Sequence, residues 1–183
     1  MAGRGAVKGW LVLASALGVA AAAAGEEVYV GTVTLPAGAK PASAHLTLTI
    51  RQLTSDERAL ALAEVLQKRG HSGVVAEMAK DEAGTVHLGD KATFRATVIT
   101  QQKTDAGLTV RVVTEHPLRL GDAKPASTIP ADALGYLELQ LGANGQGKGR
   151  ILTAVKAGFD SDGFVAPESL GEAWTVSDVK RNP

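Results

Sequence analysis

"YLELQLGANGQGKGRILTAV", Tyr136 to Val155, separates two possible folds. Gly142, Gly147 and Lys148 fall at the G-x-x-x-x-G-K spacing that opens a phosphate-binding loop. Such a loop needs a Ser or Thr after the Lys to hold magnesium, and this chain has Gly149. It also needs a helix behind it, whose N-terminus faces the phosphates. Here "RILTAVK" is β-branched and lies between Gly149 and Gly158. The strand before a phosphate loop is buried on both faces and reads apolar throughout. In this segment Leu137, Leu139 and Leu141 alternate with Tyr136, Glu138 and Gln140, a period of two with one wet face. Asn144-Gly145 is a favoured hairpin dipeptide. The segment is therefore expected to be an antiparallel hairpin, with Lys148 a solvated surface residue and no nucleotide site.

The same alternation recurs outward from this hairpin. "EVYVGTVTL" (27–35), "HLTLTIRQL" (45–53), "TVHL", "ATFRATVIT", "LTVRVVTEH" and "AWTVSDV" read as strands, with Phe94, Ala96 and Val98 expected on one face. Leu108, Val110 and Val112 share a face opposite Arg111 and Glu115. One interval changes period. Ala59, Leu62, Ala63 and Leu66 form an apolar helical stripe. Thr54 or Ser55 can cap it, Thr54 with Glu57 having the capping-box spacing, and Gly70 is placed to end it. A shorter helix from Ser72 carries Val74, Val75 and Met78 inward. The expected fold class is α+β. It is a predominantly antiparallel bent sheet or partly closed barrel of about seven to eight strands, with an inserted helical hairpin over about 55–80. The strand–helix–helix–strands order is similar to helix-grip lipid-binding folds, which end in a long helix where this chain ends in a strand and a polar tail.

The first residues read as an address. Arg4 and Lys8 precede the apolar run "WLVLASALGVAAAAA" (10–24), and Ala22 and Ala24 occupy the small-residue positions of a cleavage site. Residues 1–24 are expected to be a secretory signal peptide and 25–183 a single globular domain. A membrane anchor is the competing reading, but the run is short of the ~20 apolar residues a span requires. The chain has no cysteine, so a lipid-bearing cysteine is excluded and stability must come from packing alone. The expected location is periplasmic or extracellular, and the Ala/Gly-rich composition suggests a bacterial source. The whole chain holds 19 basic and 19 acidic residues, and loss of Arg4 and Lys8 leaves a net charge of −2. So balanced a charge implies no nucleic-acid partner. After signal removal no membrane span is expected.

No constellation names a reaction. Asp160-Ser161-Asp162-Gly163 resembles the start of a calcium loop, but the fifth, sixth and twelfth positions are Phe164, Val165 and Gly171, so a turn is the better reading. His45, His71, His87 and His116 have no metal-ligand spacing, and His71 and His116 read as exposed loop residues. There is no G-x-S-x-G elbow. Glu115 and Glu138 read as members of a solvated sheet face. The mature aromatics Tyr29, Phe94, Tyr136, Phe159, Phe164 and Trp174 are thin for a carbohydrate-stacking surface. No catalytic, metal or cofactor site is expected, and the ligand-binding residues are not identifiable from the sequence.

The signal peptide, "LTLTIRQLTSDERALALAEVLQKRG" and "LELQLGANGQGKGRILTAV" together resemble a group of small exported bacterial proteins with no assigned function. The resemblance implies a stand-alone exported domain and carries no active site. The expected function is that of a non-enzymatic exported binding or accessory protein. Its partner classes are a small apolar ligand held between bent sheet and helices, or another envelope protein. Two alternatives stand beside it: an interaction module using a sheet edge, and an enzyme with a loop-borne site.

Overall fold

The computed structural model describes residues 25–36, 42–105, 107–120, 129–158 and 166–182. The segment expected to be a signal peptide and the turn expected at Asp160–Gly163 lie outside them. Nine strands and one helical segment follow in order: β1 (Glu27–Thr34), β2 (Ser43–Ile50), α1 (Asp56–Met78), β3 (Gly84–Leu88), β4 (Ala92–Thr104), β5 (Gly107–Thr114), β6 (Leu134–Leu141), β7 (Gln146–Lys156), β8 (Glu168–Ser169) and β9 (Ala173–Asn182). Every pairing is antiparallel, and from β1 to β7 each strand pairs with the next in sequence. β9 then bridges β7 and β1. The sheet is thus a closed ring of eight strands, not a bent or partly closed one, and β8 is a two-residue pairing beside β7. Closure satisfies the backbone groups that an open edge would leave bare.

The opening segment forms the expected hairpin. Leu141 pairs with Gly147, and the Gly145 amide donates to the Gly142 carbonyl at 2.9 Å. Gly145 has φ +73°, which suits the turn, and Asn144 Oδ1 accepts the Gln146 amide. Gly147 serves closeness instead: a Cβ there would lie 2.0 Å from the Gln140 carbonyl oxygen.

Alternation places one face of each strand inside the ring. Twenty buried residues form the lumenal core, with Tyr29, Leu48, Val86, Ile99, Leu137 and Trp174 among them. The segment after β5 brings Leu118, 1 % exposed, into the same cluster. The ring is therefore a packed core. Outward positions carry Thr47, Thr49, Arg95, Arg111, Lys148 and Arg150, the reverse of the alternation of a membrane-spanning barrel. Among the described residues no helix is long and apolar enough to cross a membrane.

The alternation slips once where the sequence reads smoothly. A bulge between Ala96 and Val98 shifts the phase of β4. Ile99 then enters the lumen, while Val98 joins the outer cluster beneath the helix. Val98 does not share a face with Phe94 and Ala96.

The helical part breaks at Gly70, whose φ +70° and ψ −170° are non-helical, into two arms. The chain folds back there: Arg58 near the start of α1 contacts Glu77 at 3.3 Å and Asp81 at 2.8 Å. Ser55 is the cap, accepting from the Arg58 amide. Thr54 instead joins the barrel, exchanging hydrogen bonds with the Ile99 backbone. At the far end Arg95 donates to the carbonyl of Ala79, the C-cap residue, where a cation meets the negative end of the helix. Leu62, Val74 and Met78 dock on the outer wall against Val98, Val113, Leu134, Tyr136, Leu152 and Val155. The helix packs on the wall and does not plug an end.

The Gly70 conformation is essentially open to glycine alone. Gly70→Ala is expected to cost about 1–3 kcal/mol, although open space surrounds the position. Urea unfolding checks this, and a loss of a few tenths would show that the break tolerates another backbone conformation.

Candidate functional site

With the lumen filled, polar chemistry gathers at three places. Two share a pattern. In each, one of the chain's two tyrosines donates to a glutamate two residues away on the same strand face.

The first closes one end of the lumen. Tyr29 Oη donates to Glu27 Oε2 at 2.9 Å, Gln101 Nε2 donates to the same oxygen at 3.1 Å, and Arg181 lies 3.1 Å from Oε1. Burial, then the hydrogen bond to Glu27, pushes the Tyr29 phenol up to about 12.

The second lies on the outer wall. Arg111 of β5, Glu138 of β6 and Arg150 of β7 are in register across three strands. Glu138 Oε2 accepts from Tyr136 Oη at 2.9 Å and Oε1 from Gln140 Nε2 at 3.2 Å. Arg111 Nε lies 3.5 Å and Arg150 Nε 3.4 Å from the carboxylate. Glu138 is buried, not part of a solvated face, because α1 covers the wall at Tyr136 and two guanidinium groups flank the carboxylate. β6 accordingly has no fully wet face. Burial, and then the charge of Glu138, raises the Tyr136 phenol well above its ordinary value. A depression of about 300 Å³ opens beside this row, lined by Glu138, Gln140, Lys148, Gly149 and Arg150.

The third lies over β1, β9 and β7. There β9 carries an irregularity against both neighbours, and Asp178 has φ +53°. Gly31 of β1 gives it room, since a Cβ there would lie 3.1 Å from the Ser177 carbonyl oxygen. A depression of about 410 Å³ sits above it, with Thr32, His45, Gln146, Asp178 and Lys180 in its lining.

The histidines stay apart, and among the described residues no three His, Cys, Asp or Glu side chains group as metal ligands. His45 faces the β9 depression, His87 Nδ1 lies 2.9 Å from Thr93 Oγ1, and His116 is exposed. His71 is not an exposed loop residue. It begins the second arm of α1, where Nδ1 accepts the Ala157 amide at 3.1 Å and Nε2 lies 3.0 Å from the Asp132 carbonyl oxygen. It ties the helical break to the start of β6 and the end of β7, and Ser72 donates to Asp132 beside it. That bond holds the Asp132 carboxyl below its usual range. Glu115 pairs with Arg95 at 2.6 Å.

The sequence gives no direct sign of the Arg111–Glu138–Arg150 row. The three are 27 and 12 positions apart, and only the β5–β6–β7 register unites them.

The fold and its polar wall define the class: a closed, solid eight-stranded antiparallel barrel carrying a broken helix on its outside. No known protein family, curated protein or solved structure matches the chain.

Proposed function

We propose that the protein is a non-enzymatic exported binding or accessory protein that engages its ligand on the outer wall of the barrel. One observation carries the reading: among the described residues twenty buried side chains fill the lumen, while two depressions open on the wall. Ligand sites are concave, with a few polar groups that fix orientation. Among the described residues the lumen is filled by side chains, whereas two concavities lie on the wall. This moves the expected apolar cavity ligand out of first place. It also weakens strand addition, since the ring leaves no long open edge among the described strands. The export component rests on the Arg4–Ala24 pattern.

Native mass spectrometry of protein taken from its own envelope identifies what is bound, and amide-shift mapping locates it. The expected footprint falls on β6, β7 and β9 outward positions. Oleate serves as the apolar probe, and Trp174 fluorescence reports on the lumen. Stoichiometric oleate binding that perturbs Trp174 would overturn the proposal and restore a lumenal site.

A further inference from the structure

We infer that the wall over β6 and β7 is an oxyanion-binding site built on Lys148 and Arg150, taking a ligand through a phosphate, sulfate or carboxylate group. The inference deepens the outer-wall reading and rests on it.

The charge balance at the row carries the argument. Glu138 contributes one negative charge, and both its oxygens already accept hydrogen bonds from Tyr136 and Gln140. It lies between two guanidinium groups. The side chains of Arg111 and Arg150 are 21 % and 57 % exposed, so Arg150 is the guanidinium open to the depression it lines. Lys148 adds a further positive charge, and among the described residues its side chain has neither an ion pair nor a hydrogen bond.

Register places the two cations side by side. Arg150 is opposite Glu138 and Lys148 opposite Gln140, so both project from the same face. Alternate residues of a strand stand roughly 6.5–7 Å apart, a span one oxyanion can bridge through two of its oxygens. Gly147 and Gly149 alternate with the two cations and lie on the lumenal face, where the backbone of β6 runs too close for a side chain: a Cβ at Gly149 would lie 2.3 Å from the Glu138 carbonyl oxygen. The glycine–lysine–glycine–arginine alternation that imitates a phosphate loop therefore has a different consequence. It spaces two cations along a strand over a depression of about 300 Å³. Glu138 lies beside them, its carboxylate anchored through Tyr136 to the wall that α1 covers.

Phosphate, sulfate and citrate are the probes, titrated into the full folded domain at constant ionic strength and followed by amide shifts. The expected result is saturable movement centred on Gln140 and on 148–150. Preference among the three separates a tetrahedral ligand group from a planar carboxylate. Lys148→Ala and Arg150→Gln should each weaken binding about tenfold, which is the loss of one charge-assisted contact. Lys91→Ala, at the β3–β4 turn, should leave it unchanged. Glu138→Gln should tighten binding, since the one negative charge at the site is removed. Melting curves confirm that each variant is folded. No saturable shift with any probe would overturn the site, as would equal weakening by Lys91→Ala or weaker binding in Glu138→Gln. If the anions fail while the native ligand still footprints on the outer wall, only the oxyanion assignment falls. If that ligand footprints in the lumen, the outer-wall reading falls with it.

Discussion

Leu62→Ala is expected to remove about 2–5 kcal/mol of folding stability. Leu62 is fully buried in the seam between α1 and the wall, in the cluster that includes Val98, Val113, Tyr136 and Leu152. Those partners are spread over four strands of a closed ring, which cannot collapse around a vacancy as an open sheet could. The cavity therefore persists, and the cost belongs toward the upper part of the range. A domain of this size has about 5–15 kcal/mol to lose, and no disulfide constrains the unfolded chain. Leu66 only lies against the same cluster, partly buried, so Leu66→Ala should cost distinctly less. Urea unfolding followed by Trp174 fluorescence measures both. Oleate should rescue neither variant, because the seam is filled by side chains in the native protein. A Leu62→Ala loss below about 1 kcal/mol, or rescue by oleate, would mean that the helix lids a cavity.

The seam also shows how far the sequence could be read. Local signals survive because they depend on a few adjacent residues. The Asn144-Gly145 turn, the Ser55 cap and the special backbone at Gly70 are such signals. The helical stripe of Ala59, Leu62 and Leu66 likewise predicts the face that docks. Ring closure is not local. It depends on β9 reaching both β1 and β7, and neither pairing has a sequence mark of its own. The bulge in β4 defeats period counting, because one extra residue sends everything after it to the opposite face. The burial of Glu138 escapes the sequence for a related reason. Alternation correctly puts it on the outer face, but whether that face is wet depends on a helix more than fifty residues upstream in the chain. The wall site is hidden in the same way, since Lys148 and Arg150 look like ordinary surface charges until register sets them beside a neutralised carboxylate. His71 completes the pattern: its place after Gly70 suggests a loop, but the fold-back carries it to Ala157 and Asp132.

Alkaline pH should unfold the protein through its two tyrosines. Both phenols are fully or almost fully buried, and each donates its proton to a glutamate. Ionisation would place a second negative charge beside the first, inside the wall or the end of the lumen. Burial is the leading cause of the upward shift in both, raising Tyr29 to about 12 and Tyr136 further. An unfolded tyrosine ionises near 10. Between these values the native state holds protons that the unfolded state has released. The stabilising contribution is therefore fully present below about pH 10, and it is lost as the pH rises through about 12. Each retained proton lowers stability by up to about 1.4 kcal/mol per pH unit across that window. Two consequences are expected together. Tyrosinate absorbance should stay flat past pH 10 and then rise with the loss of Trp174 fluorescence, because ionisation and unfolding are one event. The double variant Tyr29→Phe, Tyr136→Phe should behave in the opposite sense at the two ends of the scale. Near neutrality it should be less stable, since Glu138 loses its phenol donor at a cost of about 1–3 kcal/mol. Above pH 10 its stability should fall less steeply than that of the parent, leaving the lysines to account for the remainder. A folded protein in which either tyrosine titrates near pH 10, or a double variant with an unchanged alkaline slope, would show that these phenols are not held as the two glutamate pairs require.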